Sequence, residues 1–375
     1  MTKGARPGCG ARLLITADAA GGVWTYALDL AAGLAAAGMT PVVAVLGPAP
    51  RGDQLVRAAA IPGLELLPTD LPLDWMAEGP EELRASGEAL AALAEAARVD
   101  AIHLNSPAHA AGNVFPVPVV AVSHSCVVTW WDAVYGGALP RDFAWHAELM
   151  RRGCLAASTL VTPSRAFGEA TARRYALLRR PVVVHNGRRP MAPAGEAPPG
   201  TPPLFVLTAG RLWDKGKNLR TLDLAAARLD LPVLAAGPLA GPNGDVAEPR
   251  HVRALGHLGE PALAALLARR PIYASLAFYE PFGLAVLEAA SAGCPLVLSD
   301  IPTFRELWGA AALYVPPRDE AAAAAAIARL AADPAERARL GAAARRRAAR
   351  YTAEAMAGAM LDVYRPLLLA GSVAA

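Results

Sequence analysis

Cysteine is scarce in this chain: four residues in 375, Cys9, Cys126, Cys154 and Cys294, scattered and without a C-x-x-C pair. Neither a disulfide framework nor a zinc site is indicated, and a reduced, cytoplasmic protein is the expectation. Charge is sparse as well, at 18% of residues with a net of +3, which gives no reason to invoke nucleic acid. Uninterrupted apolar runs are missing. Residues 30–50 carry no charge, yet Gly38, Pro41, Gly47 and Pro48 break them into a helix end, a turn and a strand. No transmembrane helix and no basic-then-apolar leader is expected. There is no 20–50-residue repeat, and residues 321–326 are merely alanine-rich helix. No D-x-D occurs, so no carboxylate pair offers itself to a metal. G-x-G-x-x-G spacing is also absent, which argues against a dinucleotide site.

What is present is 54% apolar residues in a chain long enough for two domains. Short apolar runs that read as buried strands recur between helical patterns. The first half offers strands at 12–16, 42–46, 101–105, 117–123 and 182–185, with helices at 23–37, 80–98, 142–157 and 164–178. After NGRRPMAPAGEAPPGTPP, residues 186–203, strands recur at 204–208, 232–236, 252–256, 271–275, 295–299 and 312–315. Proline makes the intervening stretch a semi-stiff connector. Alternating strands and helices predict an α/β protein with two Rossmann-like domains. Their boundaries are residues 1–187, a linker at 188–203, and 204–351. Ligands of such sheets sit outside the carboxyl ends of the strands, and a cleft between the domains is the expected site.

Charge is unevenly spread. Residues 1–150 hold 8 basic and 15 acidic side chains, whereas residues 151–190 hold nine arginines and one glutamate. That run, including Arg173, Arg174, Arg179, Arg180, Arg188 and Arg189, suits either an anionic surface or ordinary solvated helix faces.

Four constellations stand just after predicted strands. Gly21–Gly22 lies between a strand and a helix, where backbone can approach an anion, or where the chain simply turns. His124, in VSHSC, follows an apolar strand and can bond a sugar hydroxyl or a carbonyl, or serve as a structural histidine. Beyond it, Trp130, Trp131 and Tyr135 offer an acceptor platform or core packing. Arg211, Lys215 and Lys217, in TAGRLWDKGKNL, can neutralise a pyrophosphate, or decorate a surface turn.

The fourth is FYEPFGLAVLEAASAG, residues 278–293, an apolar run with two glutamates. On one continuous helix Glu280 and Glu288 would stand about 80° and 12 Å apart. Pro281 disfavours helix at Glu280, so the helix is expected to start near Phe282–Leu284. Glu280 then lies on the entry loop, Glu288 on the second turn, and the N–H groups of residues 282–285 face an anion between them. The pattern suits an extended ligand with phosphate at the middle and hydroxyls at each end.

On these motifs the chain resembles the retaining glycosyltransferases of family 4, which adopt the GT-B fold. The match runs through GGVWTYALDLAAGLAAAG, VSHS, VTPS, VVHNG, AGRLWDKGKNL, ALGHL and YEPFGLAVLEAASAGCPLVLSD, the last fitting an E-x7-E pattern. The resemblance implies that Glu280 holds donor-sugar hydroxyls with the backbone of Phe282, Gly283 and Leu284, and that Glu288 bonds the ribose. It implies that Arg211 and Lys217 bind the diphosphate, that Gly21 and Gly22 approach its phosphates, and that His124 touches the donor sugar. Backbone at His257 and Leu258 would read the base, and the last helix, residues 352–370, would pack back on the first domain. Relatives often carry a Gly-Gly pair before a glutamate where this chain has the stiffer Asp300–Glu306 loop.

The resulting expectation is a metal-independent retaining transferase with no cofactor. It would move a hexose from a nucleotide diphosphate sugar, UDP-linked ahead of GDP-linked, to a small-molecule or glycoside acceptor. His124, Arg211, Lys217 and Glu280 would be its catalytic residues, and membrane association is not favoured. The rivals are a non-catalytic sugar-nucleotide-binding protein and a GT-B epimerase or phosphorylase.

Overall fold

Valine, leucine and alanine runs too short for helices form thirteen strands among the residues that the computed structural model describes, 10–192, 197 and 199–374. Residues 193–196 and 198 of the proline-rich connector, and Cys9, lie outside them. In the first sheet, β1 (Arg12–Asp18), β2 (Thr40–Leu46), β3 (Glu65–Pro68), β4 (Ala101–Leu104), β5 (Val119–Val122), β6 (Thr159–Thr162) and β7 (Val182–Val183) all run parallel. Their order is β3-β2-β1-β4-β5-β6-β7. The second sheet contains β8 (Val206–Ala209), β9 (Val233–Ala236), β10 (Arg253–Gly256), β11 (Ile272–Ser275), β12 (Leu296–Ser299) and β13 (Ala312–Val315), also parallel. Its order is β10-β9-β8-β11-β12-β13. Two α/β units of Rossmann type result.

The central strands are mostly apolar and buried because both faces of each sheet are covered there, while the edge strands β3 and β10 are largely exposed. Leu13 and Ile15 of β1 point into one core, which holds Trp24 and Leu28 of the helix Gly22–Ala36. Leu14, one residue out of phase, joins Val42, Ile102 and Leu104 on the opposite face. The second sheet repeats the device: Tyr273, Leu296 and Leu298 face one core, Ile272, Ala274 and Val297 the other.

Contacts divide the chain into two units. One holds the described residues up to Asp132, Gly136–Gly187 and the segment from Ala353; the other holds Ala133–Tyr135 and Arg188–Thr352. The last helix, Ala353–Ala374, buries Met356, Ala357, Met360 and Tyr364 in the first unit's core. It lies so close to the helix Gly22–Ala36 that a Cβ on Gly33 would fall 2.3 Å from the Ala357 Cβ. Glycine permits that approach.

Each sheet has one place where strand order reverses, between β1 and β4 and between β8 and β11. The chain leaves the two strands in opposite directions there, and a crevice opens at their carboxyl ends. Both candidate site regions lie at such points.

Two strands and two helices go beyond the sequence reading. β3 is an edge strand, ELLP, with exposed ends and a terminal proline, and so carries little strand signal. β6, TLVT, is four residues wedged between two helices. The helix Gly52–Ala59 is short, and the helix Val127–Val134 contains the β-branched and aromatic run VVTWW, which has weak helix propensity. The helix expected at 164–178 stops at Arg174, and Ala176 turns left-handed with φ 50°. Cys126, Cys154 and Cys294 are buried, and no disulfide joins them. Among the described residues no helix is long and apolar enough to cross a membrane.

Candidate active site

At the second reversal the loop after β8 carries Arg211 and Lys217. Asp214 shapes it by accepting from the Gly216 N–H at 2.8 Å. Asn218, left-handed at φ 56°, then fastens it to the rest of the unit. Its Nδ2 donates to the carbonyls of Leu276 (2.8 Å) and Pro317 (2.7 Å), while its Oδ1 accepts from the Thr221 hydroxyl at 2.9 Å. The Phe278 N–H also donates to the Gly216 carbonyl at 2.9 Å. The exits of β8 and β11 are thereby stitched together, and Lys217 Nζ comes to 2.5 Å from Glu280 Oε2. Asp214 and Asn218 were missed in the sequence; their only signal was their place in a strand-to-helix loop beside the cations.

The chain breaks at Pro281 and the helix begins at Leu284. Its N-cap, Gly283, sits at φ 93° and ψ 69°, and a Cβ there would meet Glu280 Cγ at 3.2 Å and Phe304 Cε1 at 3.3 Å. The left-handed backbone favours glycine at this entry to the helix. Phe282 is buried in the core, edge-on to Tyr351 at 5.6 Å, so only its backbone can face a ligand. Leu284 is half-buried. A cavity of about 20 Å³, room for a single water, lies between Thr208, Gly210, Lys217, Tyr273, Glu280 and Ala285. Burial, with the charges of Glu288 and Glu280, pushes the Tyr273 phenol up, and its hydroxyl donates to the Ala209 carbonyl at 3.3 Å.

The other cations are placed differently. Arg211 Nη2 lies 3.2 Å from Asp214 Oδ2, its guanidinium 5.7 Å from the Trp213 ring centroid. Lys215 is more exposed and pairs with Asp245 at 3.6 Å. Lys217, not Lys215, meets Glu280.

Glu288 projects from the second turn of its helix and is bound by Arg188, Nε to Oε1 at 2.8 Å. Arg188 Nη2 reaches Glu260 Oε2, also at 2.8 Å. Buried Arg188 departs from the reading of the arginine run as solvated faces. The run's other pairs fit that reading: Arg151 and Arg152 with Glu148, Arg174 with Asp132, and Arg180 with Glu169. Nothing in the sequence separates Arg188 from its neighbours, because its partners are 72 and 100 residues away. His257, exposed, and Leu258, half-buried, follow β10 immediately. The loop after β12 is closed by Arg305, which forks onto Asp300 at 2.7 Å through two nitrogens, stacks 3.9 Å over Tyr314, and holds the Asp300 carboxyl below its usual range.

At the first unit's reversal, Gly21 caps the helix Gly22–Ala36 with extended backbone, and exposed Gly22 is its first residue. Neither has a positive φ, so smallness is what glycine contributes there. His124 is half-buried and stacks edge-on to Tyr26 at 4.4 Å. Asn105, at the end of β4, organises this region. Its Nδ2 donates to the Thr16 carbonyl, which leaves Oδ1 to accept from two imidazoles, Nε2 of His124 at 2.8 Å and Nε2 of His103 at 2.9 Å. The Nδ1 of His103 accepts from the Tyr364 hydroxyl at 2.6 Å. Burial pushes His103 down to about 4 and His124, beside His103, to about 3, so both are neutral near pH 7. With its proton on Nε2, His124 presents Nδ1 as an acceptor. Asn105, His103 and Tyr364 were not singled out in the sequence. Trp130 and Trp131 are half-buried on the helix Val127–Val134, and Tyr135, just past it, is 49% exposed.

Among the described residues no group of three or more histidine, cysteine, aspartate or glutamate side chains is arranged to hold a metal.

Comparison with known proteins places this geometry in a family. Residues 20–190 match the model for Glycosyltransferase Family 4, and residues 246–347 that for Glycosyl transferases group 1. The glycogen synthase of Mycobacterium tuberculosis is 32% identical over 273 residues, 67% of this chain and 64% of that protein. The chain thus spans just under two thirds of that relative's length. An enzyme of Xanthomonas campestris named GDP-mannose:cellobiosyl-diphosphopolyprenol alpha-mannosyltransferase is 30% identical over 178 residues, 44% of this chain and 46% of that one. Among solved structures, sucrose-phosphate synthase from Thermosynechococcus elongatus is similar with a TM-score of 0.77, at 21% identity over 96% of this chain and 100% of that one. Anabaena HepE, solved in complex with UDP-glucose, is similar with a TM-score of 0.72, at 19% identity over 95% and 100%. With one family model on each unit, the chain belongs to the glycosyltransferases of family 4, built on the GT-B fold.

Proposed function

We propose that this chain is a glycosyltransferase that moves a hexose from a nucleotide diphosphate sugar to an acceptor hydroxyl, with retention and without a metal. The observation that carries the reading is the Lys217–Glu280 pair at the β8/β11 reversal, beside the helix start at Leu284. It sets a cation, an acceptor carboxylate and backbone N–H groups side by side, as a sugar-bearing phosphate requires. Lys217 and Arg211 neutralise the diphosphate, Glu280 takes sugar hydroxyls and Glu288 the ribose. His124 accepts from a sugar hydroxyl through Nδ1.

In the reaction the acceptor oxygen bonds to the sugar's anomeric carbon as the bond to the phosphate oxygen breaks. The acceptor's proton passes to that departing oxygen, and glycoside and nucleoside diphosphate leave. Rate enhancement comes from positioning and from cations stabilising the leaving group, since Glu280 is committed to hydroxyls and is not offered as a nucleophile. UDP-sugars are proposed first. GDP-sugars stay in the test because the Xanthomonas relative is named for GDP-mannose.

Mass-spectrometric screening of UDP- and GDP-sugars against pooled acceptors tests the proposal. Glycoside with the donor's anomeric configuration, formed undiminished in excess chelator, is expected. Loss in chelator with recovery in magnesium refutes the metal-free part. Sugar nucleotide bound but never turned over, with donor alone, with phosphate or with acceptor, makes the protein a binding module instead. Flotation with anionic vesicles tests the acceptor class: recovery near background is expected for a small-molecule or glycoside acceptor. Strong salt-sensitive recovery, lost on replacing Arg173 and Arg179, favours a lipid-linked one.

A further inference from the structure

Arg188 is the residue at which the chain enters the second unit, and its side chain is only 5% exposed. Its N–H donates to the Tyr351 carbonyl at 3.1 Å, and its backbone bridges to Thr352, where the chain leaves the same unit. The guanidinium is therefore held at a fixed point by backbone on both sides. From there Nε binds Glu288 Oε1 and Nη2 binds Glu260 Oε2, both at 2.8 Å. Glu260 opens a helix two residues after Leu258.

We infer that Arg188 is a positioning residue for the nucleoside end of the donor site, orienting Glu288 toward ribose hydroxyls and tying it to the loop at His257–Leu258 through Glu260. This rests on the reading of Glu288 as the ribose partner. A glutamate has three rotatable side-chain bonds, and a vicinal diol demands one orientation of its carboxylate. A planar fork on an immobile backbone selects that orientation before ligand arrives, so the ordering is not left to the binding step. The arginine charge has a second effect. Glu288 brings a negative charge toward an incoming diphosphate, and the buried cation bonded to it offsets that repulsion. Lysine cannot reproduce this, because one ammonium does not present two divergent N–H groups in a plane.

A cycle between protein and ligand separates positioning from support of the fold. Calorimetry compares UDP (or GDP, whichever the wild type binds) with its 2′,3′-dideoxy analogue, in wild type, Arg188→Met, Arg188→Lys and Glu260→Gln. Wild type is expected to prefer the ribose form by about tenfold or more, the value of a charged hydrogen bond. Arg188→Met is expected to erase most of that preference, moving the dideoxy analogue less than about threefold. Arg188→Lys restores only part of it. Glu260→Gln lowers the preference by a smaller factor, since Arg188 keeps Glu288. Equal losses for both nucleotides in Arg188→Met overturn the inference and leave Arg188 a structural staple. If that variant does not fold, an unchanged preference in Glu260→Gln overturns it. A wild type that binds both forms equally refutes the ribose role of Glu288 instead, and one that binds neither diphosphate refutes the donor reading.

Discussion

At the β1/β4 reversal the side chains brought together are Thr16, Asn105, His103, His124 and Tyr26; at the β8/β11 reversal they are Arg211, Asp214, Lys217 and Glu280. Over six strands the order is the same in both units, with a seventh added in the first, yet one crevice is furnished with neutral hydrogen-bonding groups and the other with ion pairs. Backbone topology fixes where a ligand can sit, and the loop residues fix what kind of ligand it is. Neutral imidazole suits hydroxyls, and a paired lysine suits a phosphate whose charge it can take over from the carboxylate. The stitching differs as well: an asparagine amide shared between two imidazoles in one, and in the other an asparagine that bonds backbone carbonyls from two separate loops.

The largest expected effect breaks the charged side. Lys217→Ala removes the partner of Glu280 and the cation proposed for the leaving group, and turnover should fall by about 10²-fold, near 2.7 kcal/mol of barrier. Arg211→Ala should act comparably, while Lys215→Ala, paired with Asp245 instead, should matter far less. Initial rates decide this, and a larger loss in Lys215→Ala than in Lys217→Ala would reverse the assignment.

Next comes the proposed division of the ligand between Glu280 and Glu288. Glu288→Ala should weaken the bare nucleoside diphosphate and Glu280→Ala only the sugar-bearing donor, each by about 1.5–3 kcal/mol. Calorimetry with both ligands tests it, and equal impairment for the bare diphosphate would contradict the division.

On the neutral side, Asn105→Leu should lower turnover by about tenfold, because His124 loses the group that fixes its tautomer. Affinity for the bare diphosphate should stay within about twofold, since the bonds Asn105 makes are to Thr16, His103 and His124, not to Arg211, Lys217 or Glu280. A diphosphate affinity that falls as far as turnover would end the contrast between the two crevices.

The last effect concerns stability and pH rather than turnover. His103 is fully buried and pushed down to about 4, against 6.5 when unfolded. The unfolded chain therefore takes up a proton that the folded chain refuses. The stability this group contributes is complete above pH 6.5 and is lost as pH falls toward 4, by up to about 1.4 kcal/mol per unit. Thermal midpoints measured from pH 7 to 5 should fall, and His103→Gln should fall less. Identical slopes would show that His103 takes up its proton as readily in the folded chain as in the unfolded one.

Much of this protein was readable along the chain. Eleven strands and the alternation of helices with them follow from local pattern, because a strand buried on both faces must be apolar over its whole length. The break at Pro281 and the helix start near Leu284 follow from backbone sterics confined to a few residues. The arrangement of the site did not follow. That Lys217 and not Lys215 meets Glu280 depends on Asn218 reaching Leu276 and Pro317, 58 and 99 residues away. That Arg188 grips Glu288, while Arg174 and Arg180 sit in surface pairs, depends on where the chain re-enters the second unit. Local sequence carries dihedral preference and burial period, which act over a few residues. A hydrogen bond has no memory of sequence separation, so the partners of Asn105, Asn218 and Arg188 were decided only when the sheets brought distant loops to the same edge.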